Sequence, residues 1–304
     1  MTVLVMSEWH IVDTWDDFCR FWVSAQSLLL SQQIELWKSA YMAAYPELLR
    51  KQVQDYEEQG VDWRQVAAER VFPHLPERLP FMQGARGNLL QVCGPVYERA
   101  VDVLGVGFDA RFVLYVGIGC GAGWATQYEG LPACLLGLEN IAEEGWHSRE
   151  RLEGLVAHEL GHLTHMAWRD EWVQFAENER QPMFLLYSEG FAGRCEEAIL
   201  PENAGHLDRD GEWQPWCTAN QAWLAAEFLR REEAGEPARD FFGSWYEIRG
   251  HSQTGYYLGR EFIRWLERGR ALREVATLIP NDVAALAREF LCLAAQGQQA
   301  GTAL

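Results

Sequence analysis

The sequence predicts an α+β fold that is mostly helical, with a small antiparallel sheet. Apolar residues recur at three- and four-residue steps over most of the 304 positions, which indicates amphipathic helices. Two short segments rich in β-branched and aromatic residues interrupt this pattern and indicate strands. Because 48% of the residues are hydrophobic, the chain can bury a sizeable core.

The N-terminal part is expected to be a helical region of its own. Spacing over residues 14–59 predicts helix up to a stop near Gly60, and a short helix is expected over 62–71. Residues 72–80 contain three prolines, which predict a break in regular structure and a domain boundary. The predicted domains are residues 1–80 and 81–304.

Two strands are predicted in the middle of the chain, at residues 109–117 and 133–140. Because a glycine-rich stretch follows the first strand, the pair is expected to form an antiparallel hairpin or a sheet edge. The glycines, at 117, 119, 121 and 123, do not have Gly-x-Gly-x-x-Gly spacing. A further strand, not a helix, is expected after them, so a dinucleotide-binding loop is disfavoured.

Helical periodicity marks the rest of the second domain. The predicted helices are 87–104, 149–167, 182–199, 217–234, 254–268 and 281–296. Asn281 and Asp282 are expected to cap the last of these.

Bulk composition limits the possible partners. The formal net charge of −18 repels phosphate backbones, so no nucleic-acid partner is expected. The chain has no basic n-region before its first apolar residues, and its apolar runs are far shorter than a bilayer span. Seven cysteines without Cys-x-x-Cys spacing are typical of a reducing compartment. A cytoplasmic protein without membrane contact is therefore expected.

The predicted helix 149–167 contains two histidines with metal-ligand spacing. His158 and His162 are four residues apart, which places both imidazoles on one helix face, where they can bind one zinc ion. Glu159 follows the first histidine and suits a general base acting on water.

A third ligand is expected from the predicted helix 182–199. Glu189 lies there among apolar residues, where a carboxylate costs free energy unless it is paired or bound to a cation. Gly190 and Ala192 are small and would let this helix pack closely against the histidine helix. Zn²⁺ held by His158, His162 and Glu189 would keep a position for water.

The chain resembles the gluzincin branch of the zincin metallopeptidases on two motifs, His158-Glu159-x-x-His162 and Glu189-Gly190-x-Ala192. It is also similar to bacterial zinc-dependent proteases with a Gly-Tyr-x-Leu-Gly element, here Gly255-Tyr256-Tyr257-Leu258-Gly259. The resemblance covers roughly residues 110–265. It implies a zincin-like catalytic domain, in which the strand 133–140 would run antiparallel to a bound peptide.

The sequence departs from related families at two places. Thermolysin-like enzymes carry an acidic residue four positions after the third ligand, whereas this chain has Gly193 there. Glu196 and Glu197 are then the nearest acidic residues that could orient a zinc-bound histidine. The metzincin extension is absent, because its glycine and third histidine would fall at His165 and Trp168. His165 is accordingly disfavoured as a ligand.

The expected function is that of a zinc metallopeptidase acting on a peptide or protein substrate. Glu159 would take a proton from the attacking water, and His251, Tyr256 or Tyr257 would stabilise the oxyanion, as a Tyr or His does in related gluzincins. An alternative places both tyrosines in the core. Two other functions stay open: a non-catalytic metal- or peptide-binding module, and a hydrolase of a non-peptide amide.

Overall fold

The computed structural model describes residues 7–202, 205–208 and 211–297. The chain forms two compact units, one ending at Glu159 and the other beginning at Leu160. This division falls inside one continuous helix, α7, which spans Arg149–Arg169. The expected domains 1–80 and 81–304 stay a prediction, although a single helix runs through residue 80.

The first unit contains a four-stranded mixed sheet. Its strands are β1 (Trp9–Asp13), β2 (Ala110–Tyr115), β3 (Gly123–Tyr128) and β4 (Leu131–Gly137), in the order β1-β2-β4-β3. The first three strands in this order pair in parallel, and only β3 and β4 are antiparallel. The expectation of an antiparallel sheet is therefore wrong for two of the three pairings.

The predicted strands correspond to β2 and β4, and they pair in parallel, with Val113 opposite Leu135. The hairpin joins β3 to β4 through Glu129 and Gly130, both at positive φ. Strand β3 escaped prediction because it is half-buried along most of its length and lacks an apolar alternation. Because β4 is paired on both sides, the strand 133–140 cannot lie beside a bound peptide. Its antiparallel neighbour β3 is the outer strand at that side of the sheet, and β1 is the outer strand at the other side.

The helices of the first unit are α1 (Trp15–Ala25), α2 (Leu30–Leu36), α3 (Pro46–Glu58), α4 (Trp63–Val66), α5 (Leu75–Leu104), α6 (Leu138–Glu144) and the start of α7. The predicted helix 14–59 is thus three helices. One break precedes Pro46, because proline disfavours helical geometry in the residue before it, and Tyr45 has φ −129° and ψ 64°. The predicted stop is confirmed, since Gly60 has φ +69°.

The predicted break over residues 72–80 is wrong, because α5 begins at Leu75 and continues for 30 residues. Pro76 lies in the first turn, where the missing N–H has no intrahelical partner to lose. Pro80 and Pro95 lie inside the helix. The helix is maintained around them by a long buried face that includes Met82, Leu89 and Val92, each fully buried.

Buried polar side chains of the N-terminal helices bind the carboxyl end of β2. The Trp37 indole N–H donates to the carbonyl of Val116 at 3.1 Å, and the Tyr56 hydroxyl donates to the carbonyl of Ile118 at 2.9 Å. The Val116 N–H donates to the Tyr41 hydroxyl at 3.1 Å. These bonds fix the chain as it leaves the sheet.

The second unit is helical in its described residues. After the end of α7 come α8 (Val173–Glu179), α9 (Pro182–Ile199), α10 (Trp213–Ala219), α11 (Gln221–Ala234), α12 (Thr254–Leu266), α13 (Leu272–Ala276) and α14 (Pro280–Ala295). The predicted helices 149–167, 182–199, 254–268 and 281–296 are confirmed within two residues at each end. The predicted helix 217–234 is divided at Asn220. The capping prediction at Asn281 is wrong, because α14 starts one residue earlier, at Pro280.

None of the helices in the described ranges is both long and apolar enough to cross a membrane.

Helices α9 and α12 cross with their backbones in contact. A Cβ atom on Gly259 would lie 2.9 Å from both the N and the Cα of Gly190. This crossing accounts for the two glycines, since any side chain at either position would push the helices apart. The helix α12 is thereby held directly against the turn of α9 that follows Glu189.

We expect Gly259→Ala to destabilise the protein by about 1–3 kcal/mol, because the added methyl overpacks this crossing. Gly84→Ala, inside α5 with nothing within 4 Å of the added Cβ, is the matched control and should stabilise by about 1 kcal/mol through helix propensity. Urea unfolding followed by circular dichroism measures both. Equal effects of the two substitutions would contradict the close crossing.

Candidate metal centre

Helix α7 carries the two predicted histidine ligands on one face. His158 is 3% exposed and His162 is 8% exposed. The helix forms and becomes buried because its apolar residues cover the adjoining faces: Leu152, Leu155, Val156, Leu160 and Leu163. The burial removes both imidazoles from bulk water.

Helix α9 brings Glu189 to the second histidine. The Nε2 atom of His162 lies 3.2 Å from the Oε2 atom of Glu189. The two helices approach closely at Gly161, where a Cβ atom would lie 2.9 Å from the Cα of Ala192. The expected role of Ala192 in this packing is confirmed, whereas Gly190 lies against α12 instead.

The three predicted ligands come together. His158, His162 and Glu189 each offer one ligand atom, and these atoms all lie within 4.8 Å of one another. Tetrahedral zinc with bonds of about 2.1 Å requires ligand atoms about 3.4 Å apart. Two imidazoles and one carboxylate are also the donor types of a catalytic zinc site. The residues therefore fit this metal in chemistry, and the 3.2 Å between the His162 Nε2 and the Glu189 Oε2 is close to the required separation.

Glu159 is buried beside the first residue of the outer strand. Its side chain is held against Gly123, where a Cβ atom would lie 2.7 Å from the Glu159 Cδ. A side chain at this position would have to displace the carboxyl group. The start of β3 and the motif glutamate thus form one surface.

A second group of buried ligand atoms shares His158. It consists of His158, Glu196 and His206, again with ligand atoms within 4.8 Å of one another. The Oε1 atom of Glu196 accepts the N–H groups of Gly205 at 2.8 Å and His206 at 3.1 Å. Its Oε2 lies 3.0 Å from the His206 Nδ1. Glu196 is thus the acidic candidate whose carboxylate lies near His158.

The other acidic candidate, Glu197, is occupied elsewhere. Its carboxylate binds Arg194 and, at 2.5 Å, Arg264. At Gly193 a Cβ atom would lie 2.7 Å from the Arg260 Cγ, so the aliphatic part of that arginine fills the position of the missing acid. The carboxylate is accordingly supplied one turn later along α9.

His206 was missed from the sequence. It lies between α9 and α10, outside any helical spacing, and no motif includes it. The only signal for it in the sequence is a histidine within an otherwise polar segment, and this signal is weak. The contact with Glu196 arises from the folding back of the chain after α9.

The candidates for oxyanion stabilisation differ in their surroundings. Tyr257 is buried, and its hydroxyl donates to the Gln221 side-chain oxygen at 3.3 Å, which agrees with a core aromatic. The His251 ring stacks on Trp216 with ring centroids 3.9 Å apart. Tyr256 is half-buried and lies one helical turn before Gly259, the residue at which α12 meets α9.

His165 is a core residue, in agreement with its rejection as a ligand. It is fully buried, and its ring packs on Phe175, Tyr187 and Phe191, with centroids 4.1–4.8 Å away. Burial lowers the pKa of His165 well below its usual value, with a smaller contribution from Arg169. The imidazole is therefore a neutral aromatic within the core.

Comparison with known proteins returns no match: no family model, no curated protein and no solved structure is similar to this chain.

We expect His165→Phe to reduce the loss of stability on acidification. Wild-type His165 stays neutral when folded but takes up a proton when unfolded, so its contribution is present above about pH 6.5 and is lost as pH falls below that. Between pH 7 and pH 5 the variant should lose at least about 1 kcal/mol less than wild type.

The measurement is urea unfolding of the metal-free protein at several pH values, since metal binding has a pH dependence of its own. His10→Phe, at an exposed position, is the control and should leave the wild-type pH dependence unchanged. A His165→Phe protein with the wild-type pH dependence would contradict a buried neutral imidazole.

Proposed function

We propose that the protein is a zinc-dependent hydrolase of peptides, with a zincin-like catalytic domain of the gluzincin type. One observation carries the proposal: the ligand atoms of His158, His162 and Glu189 converge within 4.8 Å, with Glu159 next to the first of them in the chain. Such a site is typical of metallohydrolases, and the motif resemblance supports the same activity.

Each of these residues has its own role in the proposed reaction. His158, His162 and Glu189 would hold Zn²⁺, which would supply a Lewis acid that makes water more acidic and polarises a carbonyl. Glu159 accepts the proton of the attacking water and delivers it to the leaving amine. Glu196, whose carboxylate lies within 4.8 Å of His158, is the residue proposed to orient that histidine for metal binding.

Tyr256 and His251 are the proposed donors to the developing oxyanion. Tyr256 is favoured because α12, which carries it, is held against α9 next to Glu189. Tyr257 is withdrawn from this role, since its hydroxyl already donates to Gln221.

The outer strand supports a peptide as the substrate. The Gly137 N–H donates to the carbonyl of Ala122, and β3 continues the antiparallel pairing with β4 from Gly123. Because the ladder alternates, the backbone groups of Ala125 and Gln127 point to the open edge. An extended peptide can add to such an edge through main-chain hydrogen bonds. The edge starts at Gly123, beside Glu159, so a bound peptide would pass the general base.

The alternative of a purely structural metal is less well supported. A structural zinc has four protein ligands, whereas the group around His162 contains three among the described residues. The open position suits water and a substrate. A hydrolase of non-peptide amides would use the same residues, and the substrate screen below distinguishes it.

We expect Glu159→Gln to retain zinc and to lose at least about 100-fold in kcat, because the amide cannot accept the proton. Wild type and variant are compared on peptide libraries and small amides, with zinc measured by elemental analysis. Glu150→Gln, an exposed change on the same helix, is the control. Full activity of Glu159→Gln would exclude it as the base, and cleavage of small amides alone would contradict the peptidase.

We expect Glu189→Ala and His158→Ala to lower the zinc affinity at least about tenfold, since each removes one of three ligands. The measurement is competition with a zinc chelator, which needs no substrate. Glu150→Gln again serves as the control. Unchanged zinc stoichiometry and affinity in Glu189→Ala would show that the third ligand is a different residue.

A further inference from the structure

A buried carboxyl group lies beneath the glycine-rich segment, defined here as residues 117–122. Glu139, in the first turn of α6, is 1% exposed. Its Oε1 atom accepts the N–H of Gly119 at 3.2 Å, and a Cβ atom on Gly117 would lie 2.8 Å from that oxygen. Burying a carboxyl group costs free energy, so its position at the end of the sheet indicates a specific role for this residue.

Backbone amides surround one carboxylate oxygen of Glu139, whereas the other, Oε2, is buried and has no hydrogen-bond partner among the described residues. Burial raises the pKa of Glu139 to about 7, and backbone hydrogen bonds, from Gly117 first, act in the opposite direction. Arg78 also lowers this pKa. The carboxyl group thus gains from these amides part of what it loses by leaving water.

The glycine-rich segment has a specific conformation. Gly119 and Gly121 have φ values of +89° and +140°, which side chains rarely adopt. The Ile118 N–H donates to the Gln52 side-chain oxygen at 3.2 Å. The carbonyl of Gly121 lies so close to Gly137 that a Cβ atom there would overlap it. Residues of β4, α3 and α6 therefore all contact the segment.

The segment leads directly into β3. Its next residue, Gly123, begins the strand and lies against the Glu159 carboxyl group. Only a short stretch of backbone separates the amide held by Glu139 from the general base. A displacement of the segment would consequently move the start of the outer strand relative to Glu159.

We propose that Glu139 is a positioning residue that holds the glycine-rich segment, so that β3 begins beside Glu159 with its outer edge open to an extended peptide. The catalytic part of this inference rests on the proposed function. The structural part, the hold on the segment, does not.

The test compares Glu139→Ala with Glu139→Gln. The amide of glutamine keeps an oxygen that can accept the Gly119 N–H, whereas alanine removes the acceptor. Hydrogen exchange of the segment should rise at least tenfold in Glu139→Ala and stay within about threefold of wild type in Glu139→Gln. Exchange in β2 should not change in either variant. Unchanged exchange of the segment in Glu139→Ala, or a uniform rise throughout the first unit, would overturn the proposal.

Kinetics supply the second measurement. Contacts of a strand with its substrate exist before and during the reaction, so their loss raises KM more than it lowers kcat. Glu139→Ala should therefore raise KM at least tenfold at unchanged zinc content, and Glu139→Gln should restore it. A selective rise in exchange without this KM effect would overturn the catalytic part. If wild type hydrolyses nothing, the proposed function fails while the exchange result still decides the role of Glu139.

Discussion

The approach of α9 to α7 is the constraint on which the candidate site depends. Glu189 is a half-buried carboxylate in an apolar helix, and its position 3.2 Å from the His162 ring favours compensation by a cation or a proton. The helices reach this separation only because Gly161 lies on the backbone of Ala192. A side chain at Gly161 would force the two helices apart and so separate the carboxylate from the imidazole.

Helix α9 is held by close backbone contacts on two of its faces. This helix is in contact with α7 at one face through Ala192 and with α12 at another through Gly190. Helix α12 then covers Gly193 with the stem of Arg260, which excludes a carboxylate at the position used by thermolysin-like enzymes. Glu196 follows at the next position on that side of α9, paired with His206. The packing that places Glu189 beside His162 thus also determines where on α9 a second carboxylate can lie.

Local signals in the sequence were sufficient for much of this arrangement. The helical span around His158 and the span of α9 follow from periodicity, and the spacing of His158, Glu159 and His162 follows from helix geometry. The order of the strands does not, because parallel pairing of β2 with β4 depends on contacts between distant segments. The prolines at residues 72–80 led to a wrong prediction of a break for a related reason. In α5 the free energy gained by burying the apolar face outweighs the loss of backbone hydrogen bonds at the prolines. His206 depends on a chain reversal that no local pattern encodes.

Strand β3 was the strand least visible in the sequence. As an edge strand it is only half-buried along most of its length, so it lacks the apolar alternation by which inner strands are recognised. The glycine at position 123 leaves room beside its start for the Glu159 carboxyl group. The glycine-rich segment, for which the sequence indicates a loop, therefore leads into the strand that begins beside Glu159. Its conformation depends on Glu139, a residue that the sequence placed in a strand and the structure places at the start of α6.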